Sequence, residues 1–241
     1  MARDLPDVGP PEGGKVFRVA WGVDPFAPPD WGWAQVHGTF GNRFDDPGAY
    51  HGIKESNRFR VCYCATQPEG AFGETIARFR KAPTVGKDLQ LLLLEDHETP
   101  DPDLEGGKVP KEWRLQRSLG TTQLDETLLF ADFANGETLT ILGKELASLL
   151  ARFRLREIDL STITSQQRRL TQEAARYVYE LDKLGLTGFA GIRYVSRLHE
   201  GWELWAIFHD RMVHTPEQPR VIRKEDPDLQ KAAKVLGLRV N

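Results

Sequence analysis

The chain has 241 residues, 40% of them hydrophobic and 10% aromatic, enough to bury a substantial core. A formal net charge of −3 gives no global basic field for nucleic acid or an anionic membrane. No apolar run reaches the roughly 20 residues that cross a bilayer, and the opening Met1-Ala2-Arg3-Asp4-Leu5-Pro6-Asp7 lacks the apolar stretch of a secretory signal, so a cytoplasmic location is expected.

The first fifty residues are rich in Pro, Gly and Trp, with Pro10-Pro11, Pro28-Pro29 and Trp31-Gly32-Trp33, and promise little regular structure beyond a short strand near Val16–Ala20. From Arg58 the period becomes two: Phe59, Val61, Tyr63 and Ala65 alternate with Arg60, Cys62 and Cys64, which predicts a strand. Thr66-Gln67-Pro68-Glu69 has the form of a capping box with Pro in the first turn, and Phe72, Ile76 and Phe79 recur at helical spacing, predicting a helix from Gln67 to Arg80. Leu89–Leu94 reads as a buried strand, Asp96–Gly107 as an acidic surface loop, and Trp113–Thr122 as another strand. Leu139, Leu142, Leu146, Leu149, Leu150 and Phe153 form one apolar helical stripe, and Leu170, Ala174, Tyr177, Val178 and Leu181 a second. Gly185 and Gly188 end that helix before two β-like segments, Ala190–Tyr194 and Glu203–Phe208, joined by a turn around His199–Gly201. The last fifteen residues fit a terminal helix.

This order of elements predicts an α+β fold, a mixed β-sheet core with flanking helices, as one domain over 1–241 with an irregular segment at 1–15 and a C-terminal extension at 211–241. No Gly-rich phosphate fingerprint follows a strand, and no Gly-x-Ser-x-Gly elbow supports a Ser-His-Asp hydrolase. Cys62 and Cys64, the only cysteines, are two apart on one strand face, poorly placed for a mutual disulfide and lacking a second ligand pair for zinc. They read as packing residues in a reduced compartment. Asp45, Asp46 and His51 are a weak metal candidate, since the Pro47-Gly48 between them reads more simply as a turn. No metal is expected.

Three distant segments carry the functional signal: Gly41-Asn42-Arg43-Phe44-Asp45-Asp46-Pro47, the run from Tyr63 to Glu74, and Gly191-Ile192-Arg193-Tyr194-Val195-Ser196-Arg197 before Trp205-Ala206-Ile207-Phe208. In this order they resemble the RES-domain family, named for an Arg, a Glu and a Ser. The resemblance implies a fold similar to ADP-ribosyltransferases, NAD as substrate, and Arg43, Tyr63, Glu74 and Ser196 as the site. It implies cleavage of the nicotinamide–ribose bond with inorganic phosphate or water as acceptor, and a helix-turn-helix antitoxin as protein partner. Alternatives are transfer of ADP-ribose to a macromolecule, or a RES-fold binding module without turnover.

Physical chemistry supports each position. Arg43 offers a planar fork of donors for phosphate oxygens, Tyr63 an aromatic face for the cationic nicotinamide, Glu74 a carboxylate for an oxocarbenium-like transition state, and Ser196 a hydroxyl that orients. Taken singly, Arg43 also reads as a partner of Asp45 or Asp46 in a surface turn, Tyr63 as a strand core residue, Glu74 as a solvated face residue and Ser196 as a turn or cap residue. The Trp-rich entry and the stretch to Asn135 make the chain longer than compact toxins of this resemblance, and Trp31, Trp33 and His37 are candidates to close over the cofactor or simply to pack.

Overall fold

The computed structural model describes residues 4–81, 106–165 and 167–241. The strand expected at Leu89–Leu94 lies outside them, as does the expected acidic loop up to residue 105. The fold is α+β, a mixed sheet flanked by helices. At its centre β2 (Lys15–Trp21) pairs antiparallel with β3 (Val61–Ala65) on one side and along its full length with β5 (Arg117–Leu124) on the other. The expected hairpin forms from β7 (Gly191–Val195) and β8 (Glu203–Phe208), and β8 pairs with β3. Beyond β7 the sheet continues in parallel to β6 (Phe130–Asp132), which pairs antiparallel with β1 (Asp7–Val8). At the other edge, β9 (His214–Pro216) and β10 (Arg220–Val221) add to β5, so residues after 210 are woven into the sheet. A separate parallel pair joins β4 (Lys108–Val109) to β11 (Arg239–Val240).

β3 is covered on both faces, which is why its alternation is apolar throughout. Val61 and Ala65 face the larger layer, built with Phe72 and Ile76 of α1 (Pro68–Ile76). Cys62 and Cys64 face a smaller layer with Val16, Phe26, Phe130, Trp205 and Ile207. Phe26, from the Pro-rich entry, thus covers sheet without belonging to an element. The larger layer is completed by α3 (Gly136–Glu145), α6 (Arg168–Glu180) and α7 (Pro227–Val235), through Leu139, Leu142, Leu170, Ala174, Val178 and Leu229. Fully burying such a side chain is worth about 1.5–3 kcal/mol.

Several expectations change. Trp113 belongs to a short helix, α2 (Lys111–Leu115), entered through Pro110, and buries edge-on against Phe79; the strand begins only at Arg117. The Leu139–Phe153 stripe breaks at Leu146, where φ −100° and ψ 20° separate α3 from α4 (Ala147–Arg152). The capping box does not form: Thr66 Oγ1 donates instead to Glu203 Oε2 at 2.6 Å and accepts from Trp205 Nε1 at 2.8 Å, tying the end of β3 to β8. α1 gives way after Ile76 to a 3₁₀ turn, Ala77–Phe79. The terminal helix is found as α7, capped by the Asp226 carboxylate, which accepts from the Asp228 and Leu229 N–H groups. No helix among the described residues is long and apolar enough to cross a membrane.

Candidate active site

The Gly41–Pro47 segment is fixed by its own carboxylates. Tyr63 Oη, rising from β3, donates to Asp45 Oδ1 at 2.9 Å and accepts the Phe44 N–H at 2.9 Å, while the Asn42 N–H donates to Asp45 Oδ2 at 2.6 Å. Burial pushes the Asp45 carboxyl up to about 6, against the hydrogen bonds from Asn42 and Tyr63. Asp46 accepts from Gly48 N–H (2.6 Å), Phe59 N–H (2.8 Å) and Arg176 Nη1 (2.8 Å). α6 completes the anchorage: Thr171 Oγ1 donates to the Arg43 carbonyl at 2.5 Å and Gln172 Nε2 to the Asn42 carbonyl at 3.0 Å. Phe44 packs edge-on against Tyr194, ring centroids 4.8 Å apart.

Arg43 points out of this anchored segment. Its Nη1 donates to the Ile163 carbonyl and, at 2.8 Å, to the Ser165 carbonyl, at the end of α5 (Leu160–Thr164). Burial lowers its pKa, as do Arg168 and Arg197, while Tyr194 and Glu74 oppose the shift.

Glu74 reaches the same place from α1. Ser196 Oγ donates to Glu74 Oε1 at 2.5 Å and accepts the Leu198 N–H at 3.0 Å, joining residues 122 positions apart. Trp202 explains how Ser196 gets there. The Ser196 N–H donates to the Trp202 carbonyl at 2.9 Å, and the Trp202 ring lies so close to α1 that a Cβ at Gly73 would meet it at 2.1 Å. A glycine before Glu74 lets the β7–β8 turn settle on the helix and deliver the hydroxyl. Glu74 remains open to solvent but is walled by protein, as in a concave site. Desolvation raises its pKa, opposed by the Ser196 hydrogen bond and then by Arg43, Arg197 and Arg168.

Glu74 also lines a cleft of ≈ 450 Å³, together with Asn42, Arg78, Trp21, Trp33, Trp113 and Arg117. Of the entry-segment candidates, Trp33 lines this cleft. Trp31 instead stacks on Phe40 at 5.0 Å and carries Arg58 over its ring at 4.7 Å. His37 lies against Thr39 and Tyr50.

The structure therefore gathers Arg43, Glu74 and Ser196, while the Tyr63 hydroxyl is spent on the segment that carries Arg43. Sequence reasoning missed Arg168, Arg197, Arg78, Arg117 and the packing of Trp202; the Gly70-x-x-Gly73 spacing in a helix was the available sign of the last. His51 Nε2 bonds Glu173 at 2.8 Å, and the Asp45 and Asp46 oxygens receive N–H and O–H donors. Among the described residues no three His, Cys, Asp or Glu side chains are grouped to hold a metal. Cys62 and Cys64 are free and buried, sulfurs 3.7 Å apart, with Arg18 Nη1 donating to Cys62 Sγ at 2.7 Å. The hydrogen bond from Cys64, assisted by Arg18, brings the Cys62 thiol down to about 6, and burial pushes Cys64 up.

The RES-domain family model matches residues 15–136, half of the chain, and the chain belongs to that family. Arg43, Tyr63 and Glu74 fall within the match; Ser196 lies beyond it and reaches the site through the β7–β8 hairpin. No curated protein and no solved structure matches the chain.

Proposed function

We propose that this protein cleaves NAD at the nicotinamide–ribose bond, with phosphate or water accepting the ADP-ribose. The observation that carries this reading is the 2.5 Å bond from Ser196 Oγ to Glu74 Oε1 at the wall of an open cleft, with Arg43, Arg168 and Arg197 acting on the same carboxylate. Membership of the RES-domain family supports NAD as the substrate. When the bond breaks, its electron pair goes to the nicotinamide ring and discharges the pyridinium. The ribose then carries oxocarbenium character, which the fixed Glu74 carboxylate stabilises. An oxygen of phosphate or water forms the new C–O bond at the same carbon; a water loses its proton to solvent.

Ser196 holds one Glu74 oxygen and so fixes the plane of the carboxylate. The three arginines offset the burial of Glu74 and help keep it ionised. Tyr63 positions Arg43 through Asp45 and Phe44. Incubating the protein with NAD, with and without phosphate, and following nicotinamide and the ADP-ribose product by NMR tests the reading. Phosphate-dependent release giving phosphorylated ADP-ribose marks a phosphorylase, and phosphate-independent release giving free ADP-ribose a hydrolase. NAD left intact by excess protein would refute cleavage.

A further inference from the structure

Arg43 was the sequence's candidate for the phosphates of a dinucleotide, yet its Nη1 is committed to two backbone carbonyls. Three other arginines line the cleft beside Glu74: Arg18, which donates to Cys62, and Arg78 and Arg117. Arg78 follows Glu74 by four residues, on the 3₁₀ turn that continues α1. A helical turn of that length advances about 6 Å on the same face. Arg117 enters from β5, its guanidinium 4.1 Å from the centroid of the Trp21 ring and 5.2 Å from that of Trp113. It donates to the Trp113 carbonyl at 3.3 Å.

Neither arginine forms a salt bridge among the described residues, whereas Arg176, Arg193, Arg211 and Arg220 all do. The other charges of the cleft are engaged elsewhere: Asp24 Oδ1 accepts the Phe26 N–H at 2.9 Å and Arg18 donates to Cys62. Burial first, and then the neighbouring Arg78, lower Arg117 to about 10. An anion between them removes that repulsion, and a guanidinium fork suits phosphate oxygens.

We propose that Arg78 and Arg117, walled by Trp21 and Trp113, form an anion subsite that takes the diphosphate of the dinucleotide whose ribose lies at Glu74. This rests on reading the Glu74 cleft as a dinucleotide site. The spacing fits, because the diphosphate hangs from the 5′ carbon of the same ribose whose anomeric carbon reacts.

Calorimetric titration with ADP and, separately, with inorganic phosphate tests the subsite without requiring turnover. Arg78→Gln, at an exposed position, is expected to weaken ADP binding about tenfold and to flatten its salt dependence. Arg117→Gln should weaken it further, with Arg117→Lys recovering part of the loss. ADP binding that is absent in the wild type, or unchanged in Arg78→Gln, overturns the subsite; tight inorganic phosphate with weak ADP overturns the diphosphate assignment and gives the subsite to the acceptor. If NAD is not cleaved but ADP affinity still falls in the arginine variants, the subsite stands and only the cleavage reading fails.

Discussion

The Gly41–Pro47 segment and the cleft beside Glu74 share Asn42, and they treat charge in opposite ways. In the segment, Asp45 and Asp46 are 3% and 4% exposed, and their oxygens receive hydrogen bonds from backbone, Tyr63 or Arg176. In the cleft, Arg78 and Arg117 have no carboxylate partner among the described residues, and Glu74 stays open to solvent with one oxygen held by Ser196. Satisfied buried charge is scaffold, whereas charge left unbalanced at a concave surface is where a ligand completes the electrostatics.

The sharpest way to separate the two regions is to remove one charge from each. Glu74→Gln should lower nicotinamide release by about 10²–10³-fold or more, because a neutral amide gives little stabilisation to positive charge on the ribose. Its melting temperature should stay close to wild type, since glutamine keeps the side chain's shape and can still accept the Ser196 hydrogen bond. Release within threefold of wild type would remove Glu74 from the chemistry. In the wild type, kcat/KM should fall on the acid side as Glu74 protonates, with a midpoint above the 4.5 of an ordinary glutamate because burial outweighs the arginines; a midpoint at or below 4.5 would show that the arginines prevail.

On the scaffold side, Arg176→Met strands the Asp46 carboxylate and should cost about 3–5 kcal/mol in urea unfolding. A cost under about 1 kcal/mol would mean that the backbone donors alone hold the segment. Gly73→Ala places a methyl against the Trp202 ring and should cost about 1–3 kcal/mol while also reducing turnover, as the turn carrying Ser196 is pushed away. Adding Trp202→Leu should restore stability; if it does not, the contact is not the cause.

The smallest effect is a slope with pH. The folded-state pKa of Asp45 is raised from 3.8 to about 6, so the stabilisation due to its protonated form is full below 3.8 and is lost as pH rises through about 6. Asp45→Asn should flatten stability across that window, as read by thermal unfolding at stepped pH. A wild-type curve already flat there would place the ionised carboxylate comfortably within its donors.

The central strands were legible because their signal is local: β2, β3, β7 and β8 are short apolar-rich runs bounded by turn residues. The α6 stripe was legible for the same reason. What escaped was set by distant partners. Trp113 reads as a strand residue until Phe79 is placed beside it, and Thr66 reads as a cap until Glu203 arrives from 137 residues away. Within the site, Arg43, Glu74 and Ser196 were found as an ordered set, but the carbonyls of Ile163 and Ser165 that occupy Arg43 could not be foreseen. Arg78 and Arg117 drew no notice because an isolated arginine in sequence reads as a solvated face residue.

The sheet order has a consequence for synthesis. β7 and β8 lie between β6 and β3, so when residue 136 has left the ribosome the strands of the family match cannot yet join into one sheet. Only after Phe208 emerges can the gap close, with Ser196 arriving on the same hairpin. Nascent chains should therefore be unable to pair Ser196 with Glu74 until the β7–β8 hairpin has emerged.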